Sequence, residues 1–272
     1  MKDLIRPPFC YIGAKTRFLD WIYSYFPHHT TFVDVFCGSG VVTFNKTPSK
    51  NDVYNDLNGR IVNFYSVLRD DFKKNVLAEL ISLTPYSREE FKACKQPSED
   101  PIEDARRFYV KQNMSFSACG HSFGAVRGDV NTKRIGFYEL DWSKVIKRMH
   151  GITFENLPFD RMFKNYDTPE TLFYCDPPYV ETYGTDEYTV EWGQNEQERL
   201  IEEVRKAKGY VILSSYEHES LDVLLKDGWK MEKKDVSCTY KNSVDGLGIV
   251  DTKRTECLYL SPRVIEQQNR LF

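Results

Sequence analysis

Residues 172–175, Leu-Phe-Tyr-Cys, run directly into Asp176, Pro177, Pro178 and Tyr179. Four mostly apolar residues in succession read as a strand buried on both faces. The two prolines end it, because each fixes φ and neither has an N–H for a ladder. A strand with no polar face constrains the fold strongly, since it needs cover on both sides. Short apolar runs of the same kind occur at Thr31–Phe36, Asp52–Asn55, Ile152–Glu155, Thr171–Cys175, Tyr210–Ser214 and Glu256–Leu260. Helical patterns lie between many of them. Phe18–Phe26 carries aromatic and aliphatic residues at helical spacing. In Glu196–Lys206 the positions Gln197, Leu200, Ile201 and Val204 recur every three or four residues. Strands alternating with helices imply an α/β chain built on a mainly parallel sheet.

One stretch breaks the alternation. From Asn58 to about His150 the pattern is mostly helical, with a serine- and glycine-rich loop, SFSACGHSFGAVRG, at Ser115–Gly128. That is too long for a simple connection between neighbouring strands. The expected organisation is a sheet domain of residues 1–57 plus 150–272, interrupted by a helical subdomain of residues 58–149.

With 41% hydrophobic and 28% charged residues the chain has the composition of a globular protein. No apolar run approaches membrane-spanning length, and MKDLIRPPFC lacks the apolar core of a secretory signal. Seven scattered cysteines (10, 37, 94, 119, 175, 238, 257) without a CxxC argue for reduced thiols inside a cell and against zinc. The histidines show no metal spacing, so no metal is expected. A net charge of −3 is not the signature of a general polyanion binder. The distribution says more. Arg106–Arg148 holds nine basic residues and three acids, while Asp176–Glu203 holds nine acids and only Arg199. Two readings stand: solvated helical faces of opposite sign, or a local anion-binding surface on a mildly acidic protein.

Three constellations carry chemistry. In TFVDVFCGSGVVTFN, Thr31 to Asn45, a strand runs into Gly38-Ser39-Gly40 and then a helix. Glycines there let a ligand approach the backbone, and a helix start presents N–H groups; a plain tight turn is the other reading. In NDVYNDLN a strand ends at Asp56, about 20 residues further on, where nucleotide-binding α/β folds hold ribose hydroxyls; a helix-capping Asp is the alternative. Together the two suggest an adenosine-containing cofactor. In DPPY, the Asp176 carboxylate beside a proline-fixed carbonyl makes two acceptors for one NH₂ group, and Tyr179 offers a π-face to a flat ring. Such a clamp suits an exocyclic amine, whose lone pair must be localised before it becomes nucleophilic.

In their order, RPPFCYIGAKTRFLDWI, DVFCGSG, NDLN, a long insert and DPPY, these segments make the chain resemble the Dam-like, D12-class N6-adenine DNA methyltransferases. The resemblance implies a Rossmann-like, S-adenosylmethionine-dependent methyltransferase sheet with an inserted, mainly helical target-recognition subdomain. It implies that Asp176 and the Pro177 carbonyl hold the amine, with Pro178 and Tyr179 completing the catalytic motif and Tyr179 stacking on a flipped adenine. Asp34 and the backbone of Phe36, Cys37, Gly38, Ser39 and Gly40 would hold the methionine end of S-adenosylmethionine, and Asp56 its ribose. Tyr11, Gly13 and Lys15 resemble the N-terminal cofactor motif, with Lys15 near both cofactor and target. Here Tyr11 replaces a frequent tryptophan, and Gly-Ala-Lys replaces Gly-Gly-Lys. Within the insert, Arg127, Lys133 and Arg134 become candidates for DNA contacts, and the Ser115–Gly128 loop for entry into the duplex.

The partner so implied is double-stranded DNA. No membrane and no obligate protein partner are expected; the default is a cytoplasmic monomer, bacterial or phage-encoded, with room for a cognate restriction endonuclease. The alternatives are methylation of an RNA base or of cytosine N4, or a DNA-binding module without catalysis. Tyr183 and Tyr188 are either lids over the base or surface residues, and Ser214-Ser215-Tyr216 reads as structural. Ser237–Leu260 reads as two strands joined by a polar loop, whose Lys241, Lys253 and Arg254 either touch a DNA backbone or merely confer solubility.

Overall fold

The computed structural model describes residues 4–116, 120–124, 136–179, 192–240 and 250–269. Strands β1 (Thr31–Asp34), β2 (Asn51–Asn55), β3 (Ile152–Glu155), β4 (Thr171–Cys175), β5 (Tyr210–Ser215), β6 (Lys230–Tyr240) and β7 (Val250–Leu260) form one sheet among the described residues. Its order is β3-β2-β1-β4-β5-β7-β6. Every pairing from β3 to β5 is parallel, and β7 runs antiparallel to both β5 and β6. The α/β expectation is therefore met by a mostly parallel, Rossmann-like sheet with an antiparallel hairpin at one edge.

The helices follow in chain order: α1 (Leu19–Tyr23), α2 (Val41–Asn45), α3 (Gly59–Leu68), α4 (Asp71–Leu83), α5 (Arg88–Ala93) and α6 (Pro101–Met114). After them come α7 (Ser143–Met149), α8 (Phe159–Tyr166), α9 (Gln194–Lys206), α10 (Asp222–Lys226) and α11 (Pro262–Asn269). Successive strand residues face opposite sides. Phe32, Leu172, Tyr174 and Ile212 meet Leu19, Ile22, Val41, Val42 and Val264 from α1, α2 and α11. Val33, Phe173, Val211 and Leu213 meet residues of α8, α9 and α10, including Met162, Leu200 and Leu224. β4, between parallel neighbours, is buried at all its positions, as its apolar sequence requires.

Between β2 and β3 lie α3 to α7. Four of them start at a side-chain cap: Asn58, Asp70, Ser87 and Asp100 accept from the first-turn N–H groups, and Pro101 occupies a position where no N–H is needed. Their apolar residues form one cluster with Phe9 of the N-terminal segment, Phe44 of α2 and Tyr54 of β2. The helices of the segment 58–149 thus close over one end of the sheet.

Several boundaries differ from the sequence reading. The Phe18–Phe26 helix is Leu19–Tyr23, preceded by a 3₁₀ turn at Thr16–Phe18; Tyr25 and Phe26 make tight i→i−3 bonds before Pro27. β1 stops at Asp34, because the Cys37 N–H turns aside to the Asn55 carbonyl. The edge strand β6 begins at Lys230 instead of Ser237. Its charged residues, Lys230, Glu232, Lys233, Lys234 and Asp235, suit an edge strand, and that polarity hides the strand from any search for apolar runs. No helix among the described residues is long and apolar enough to cross a membrane.

Candidate active site

β1 and β4 are neighbours, yet the chain leaves β1 toward β2 and leaves β4 toward β5. In open α/β sheets the crevice at such a switch point, beyond the carboxyl ends of the strands, is where ligands bind. Three of the sequence motifs meet there.

The first wall is the turn after β1. Gly38 (φ +54°) and Gly40 (φ +78°) are left-handed, and both approach other groups closely. A Cβ on Gly38 would lie 2.9 Å from Tyr11 Cδ1, and one on Gly40 would lie 2.4 Å from Phe44 Cε2. The N-terminal segment therefore lies directly on the glycine turn, through the Tyr11 ring. Tyr54 on β2 donates its hydroxyl to the Gly38 carbonyl, and Tyr65 on α3 donates to the Ser39 carbonyl at 3.0 Å. Asp56 accepts from the Gly38 N–H and the Asn58 N–H, each at 2.8 Å. The helix-capping role weighed for Asp56 falls to Asn58 instead. Burial pushes the Asp56 carboxyl up to about 6, against these two N–H bonds.

Asp34, at the end of β1, is fully enclosed. One oxygen accepts from Thr43 Oγ1 at 2.7 Å and from Cys37 Sγ at 3.1 Å; the other, Oδ1, has no hydrogen-bond partner among the described residues. Burial lifts its carboxyl to about 7. Phe36 faces the other side of the turn, edge-on to Trp192 at 5.3 Å and 6.0 Å from Phe159.

The second wall follows β4. Asp176 is held by Lys15, whose Nζ lies 2.7 and 2.8 Å from the two carboxylate oxygens and 3.2 Å from the Gly13 carbonyl. Gly13 (φ +75°) gives the segment the bend that brings Lys15 inward. Burial pushes Asp176 up, and the negative charge of Glu256 adds to this while Lys15 opposes it. Burial works against the charge of Lys15, but Asp176 and Glu256 overcome it and raise its pKa. The lysine is thus a cation clamped among acids.

Tyr179 is 8% exposed. Its hydroxyl reaches Asp176 Oδ1 at 2.9 Å, Ser214 Oγ at 3.2 Å and Glu256 Oε1. Its ring meets Tyr216 edge-on at 4.5 Å and has Lys15 Nζ 5.1 Å from its centroid. Glu256 also accepts from Ser214 Oγ at 2.7 Å and lies 3.8 Å from Lys15 Nζ.

Asp34, Phe36, Cys37, Gly38, Ser39 and Gly40 thus lie at the end of β1 or in the turn after it, and Asp176, Pro177, Pro178 and Tyr179 in the segment after β4; Tyr11 and Asp56 meet the first at Gly38, and Lys15, beside Gly13, meets the second at Asp176. Arg127, Lys133, Arg134, Tyr183, Tyr188 and Lys241 lie outside the described residues, as does half of the Ser115–Gly128 loop. The structure adds Thr43, Tyr54, Tyr65, Ser214, Tyr216 and Glu256, none of which the sequence reading placed in the site. Only Ser214 and Tyr216 carried a signal, as a polar end to an apolar strand.

Over 200 residues, 66% of the chain, the sequence is 26% identical to the type II methyltransferase M.FokI of Planomicrobium okeanokoites. The match spans 30% of that protein, so this chain corresponds to under a third of the relative's length. The solved structure of a precorrin-8w decarboxylase from Methanobacterium thermoautotrophicum aligns over 94% of both chains at 13% identity, with a TM-score of 0.38. Residues 11–238, which include the glycine turn, Asp56 and the Asp176–Tyr179 motif, match the family described as D12 class N6 adenine-specific DNA methyltransferase. A match of that extent, carried on a mostly parallel Rossmann-like sheet, makes the chain a member of the D12 class N6 adenine-specific DNA methyltransferase family.

Proposed function

We propose that the chain transfers a methyl group from S-adenosylmethionine to N6 of adenine in double-stranded DNA, with the base turned out of the duplex. The observation that carries this reading is the convergence, in one crevice, of a cradle for a nucleoside cofactor and an acceptor group for an amine. The cradle is the Gly38–Gly40 turn with Asp34 and Asp56. The acceptor is Asp176, held by Lys15.

The residues fit the cofactor. Asp34 Oδ1 is a buried acceptor that lacks a donor among the described residues, and the ammonium group of a methionine moiety would supply one. Asp56 uses one lone pair on each oxygen for backbone N–H groups, which leaves acceptor capacity for ribose hydroxyls. Phe36 and the backbone of Cys37, Gly38, Ser39 and Gly40 complete that side, and Tyr11 and Gly13 hold the turn and the Lys15 bend. When bound, S-adenosylmethionine supplies an electrophilic methyl on a sulfonium.

The chain's own residues do the rest. Lys15 favours the ionised form of Asp176 against the burial that raises its pKa. Asp176 and the Pro177 carbonyl then accept the two N–H bonds of the target amine, which draws its lone pair out of conjugation. Pro177 and Pro178 fix that carbonyl's direction. Tyr179, with Tyr216 beside it, provides the aromatic surface for the base. Turning the base out costs a few kcal/mol, offset by stacking and pocket contacts. Residues 58–149 form the target-recognition part of this reading, and residues 1–57 with 150–272 the catalytic part.

The test is transfer of labelled methyl to unmethylated duplex DNA, followed by digestion to nucleosides. N6-methyladenine is the expected product, and Asp176→Asn is expected to abolish it while cofactor binding persists. Activity retained in Asp176→Asn, or methyl recovered only in RNA or on cytosine, would overturn the reading.

A further inference from the structure

Glu256 is a buried carboxylate, 6% exposed, for which the mechanism above has no use. It sits on β7, far from the DPPY motif in sequence. Its neighbours Cys257 and Leu258 pair with Ser215 and Ser214 of β5. Cys257 packs on one face of the sheet and Leu258 on the other, so the alternation directs Glu256 to the face that carries Tyr174. A carboxylate in such a place must be met by donors. Those present are the Ser214 hydroxyl at 2.7 Å, the Tyr179 hydroxyl and, more distantly, Lys15 Nζ at 3.8 Å.

Tyr179 has one hydroxyl proton and two carboxylates in reach, Asp176 and Glu256. The two are not equally satisfied. Asp176 already receives the ammonium of Lys15 on both oxygens, at 2.7 and 2.8 Å. Apart from Tyr179, Glu256 receives, among the described residues, only a neutral serine hydroxyl at that range. The phenolic proton is drawn to the carboxylate whose charge is less compensated. That choice bears on the reaction: a phenol donating to Asp176 would occupy a lone pair the amine needs, whereas a phenol donating to Glu256 leaves it open.

We propose that Glu256 is a positioning residue for the methyl transfer: it takes the Tyr179 hydroxyl proton and so keeps an Asp176 lone pair available to the target amine. The inference rests on the function proposed above, and its test has an arm that does not. In protein labelled at the tyrosine ring carbon that bears the hydroxyl, NMR reports which group accepts the proton, with Tyr179→Phe assigning the resonance. The Tyr179 signal is expected to shift strongly in Glu256→Gln and little in Asp176→Asn; the reverse order overturns the proposal.

The second arm is kinetic. Glu256→Leu is expected to lower kcat by about tenfold or more, with the dissociation constant of S-adenosylmethionine unchanged. In a Tyr179→Phe background, where no phenol competes for Asp176, the same substitution should change kcat by no more than about twofold. Equal losses in both backgrounds would mean that Glu256 only packs, and would overturn the proposal. The isosteric Glu256→Gln variant, whose amide oxygen accepts a hydrogen bond but carries no charge to draw the hydroxyl away from Asp176, should lower kcat in the same direction, and it covers the case in which Glu256→Leu folds poorly; kcat unchanged in Glu256→Gln overturns the proposal. A wild-type chain that transfers no methyl at all would overturn the proposed function, and the NMR comparison would still decide where the proton lies.

Discussion

Asp34 carries a carboxylate into the core with one oxygen bonded and the other lacking a partner among the described residues, and its burial sets a sign for the pH dependence of stability. Its carboxyl is raised from 3.8 to about 7 in the fold. Between those values the native state holds a proton that the unfolded chain has released, so stability falls as pH rises through the window. Asp56, raised to about 6, acts in the same direction. The effect of Asp34 is at most roughly 4 kcal/mol, since one pKa unit is worth about 1.4 kcal/mol. Urea midpoints measured at about pH 5 and about pH 8 should drop for the wild type and change less for Asp34→Asn. An unchanged pH slope in the variant would show that Asp34 is not the group responsible. The same ionisation bears on binding. If Asp34 meets an ammonium, affinity for S-adenosylmethionine rises as pH passes about 7, and Asp34→Asn loses that rise.

At the scale of the element, the turn between β1 and α2 is defined as much by what presses on it as by its own glycines. Gly40→Ala would put a Cβ 2.4 Å from the Phe44 ring on a left-handed residue at φ +78°. The combined strain and overpacking should lower stability by roughly 2–4 kcal/mol in urea unfolding. Gly59, at the start of α3, is a control: its Cβ would be 3.5 Å from Asn156 Oδ1 with no unusual φ, so Gly59→Ala should be neutral or slightly stabilising. Comparable losses in the two variants would refute the packing argument. This turn also shows what sequence could and could not convey. The glycines, Asp34, Asp56 and the DPPY run were legible because each is a contiguous signal at the end of an apolar strand, where a sheet delivers residues to its crevice. Tyr54 and Tyr65 were not, because a buried tyrosine and one that donates to a turn carbonyl have the same apolar surroundings in sequence. Glu256 was not, because its place beside Tyr179 follows from the insertion of β7 between β5 and β6, a pairing that no local pattern encodes. The helical insert was visible as a break in alternation, but its shared core with Phe44 and Tyr54 was not.

For the whole molecule, a net charge of −3 means that attraction to a polyanion must be local, and the structure narrows where it resides. Three members of the basic group from Arg106 to Arg148 are held by internal acids. Arg106 is bonded to Glu90 and Glu103, Arg107 to Glu103, and Arg148 to Asp52, whose other partner is Lys46. These guanidiniums join α5 to α6 and α7 to β2, so a simple count of charges overstates the surface available to DNA. Arg127, Lys133 and Arg134, the insert residues proposed for DNA, lie outside the described residues and bear the proposed contact with phosphates. Each phosphate neutralised contributes about 0.9 to the dependence of log affinity on log salt, so replacing all three by alanine should reduce that slope by up to about three. Binding of S-adenosylmethionine should be unaffected, because none of its proposed ligands changes. Arg106→Ala separates the two roles: it leaves Glu90 without its cation and Glu103 with Arg107 alone, so it should lower stability while leaving the salt slope as in the wild type. A triple variant with an unaltered slope would take these residues out of the DNA interface, and a reduced slope in Arg106→Ala would mean that the α6 pairs open when DNA binds.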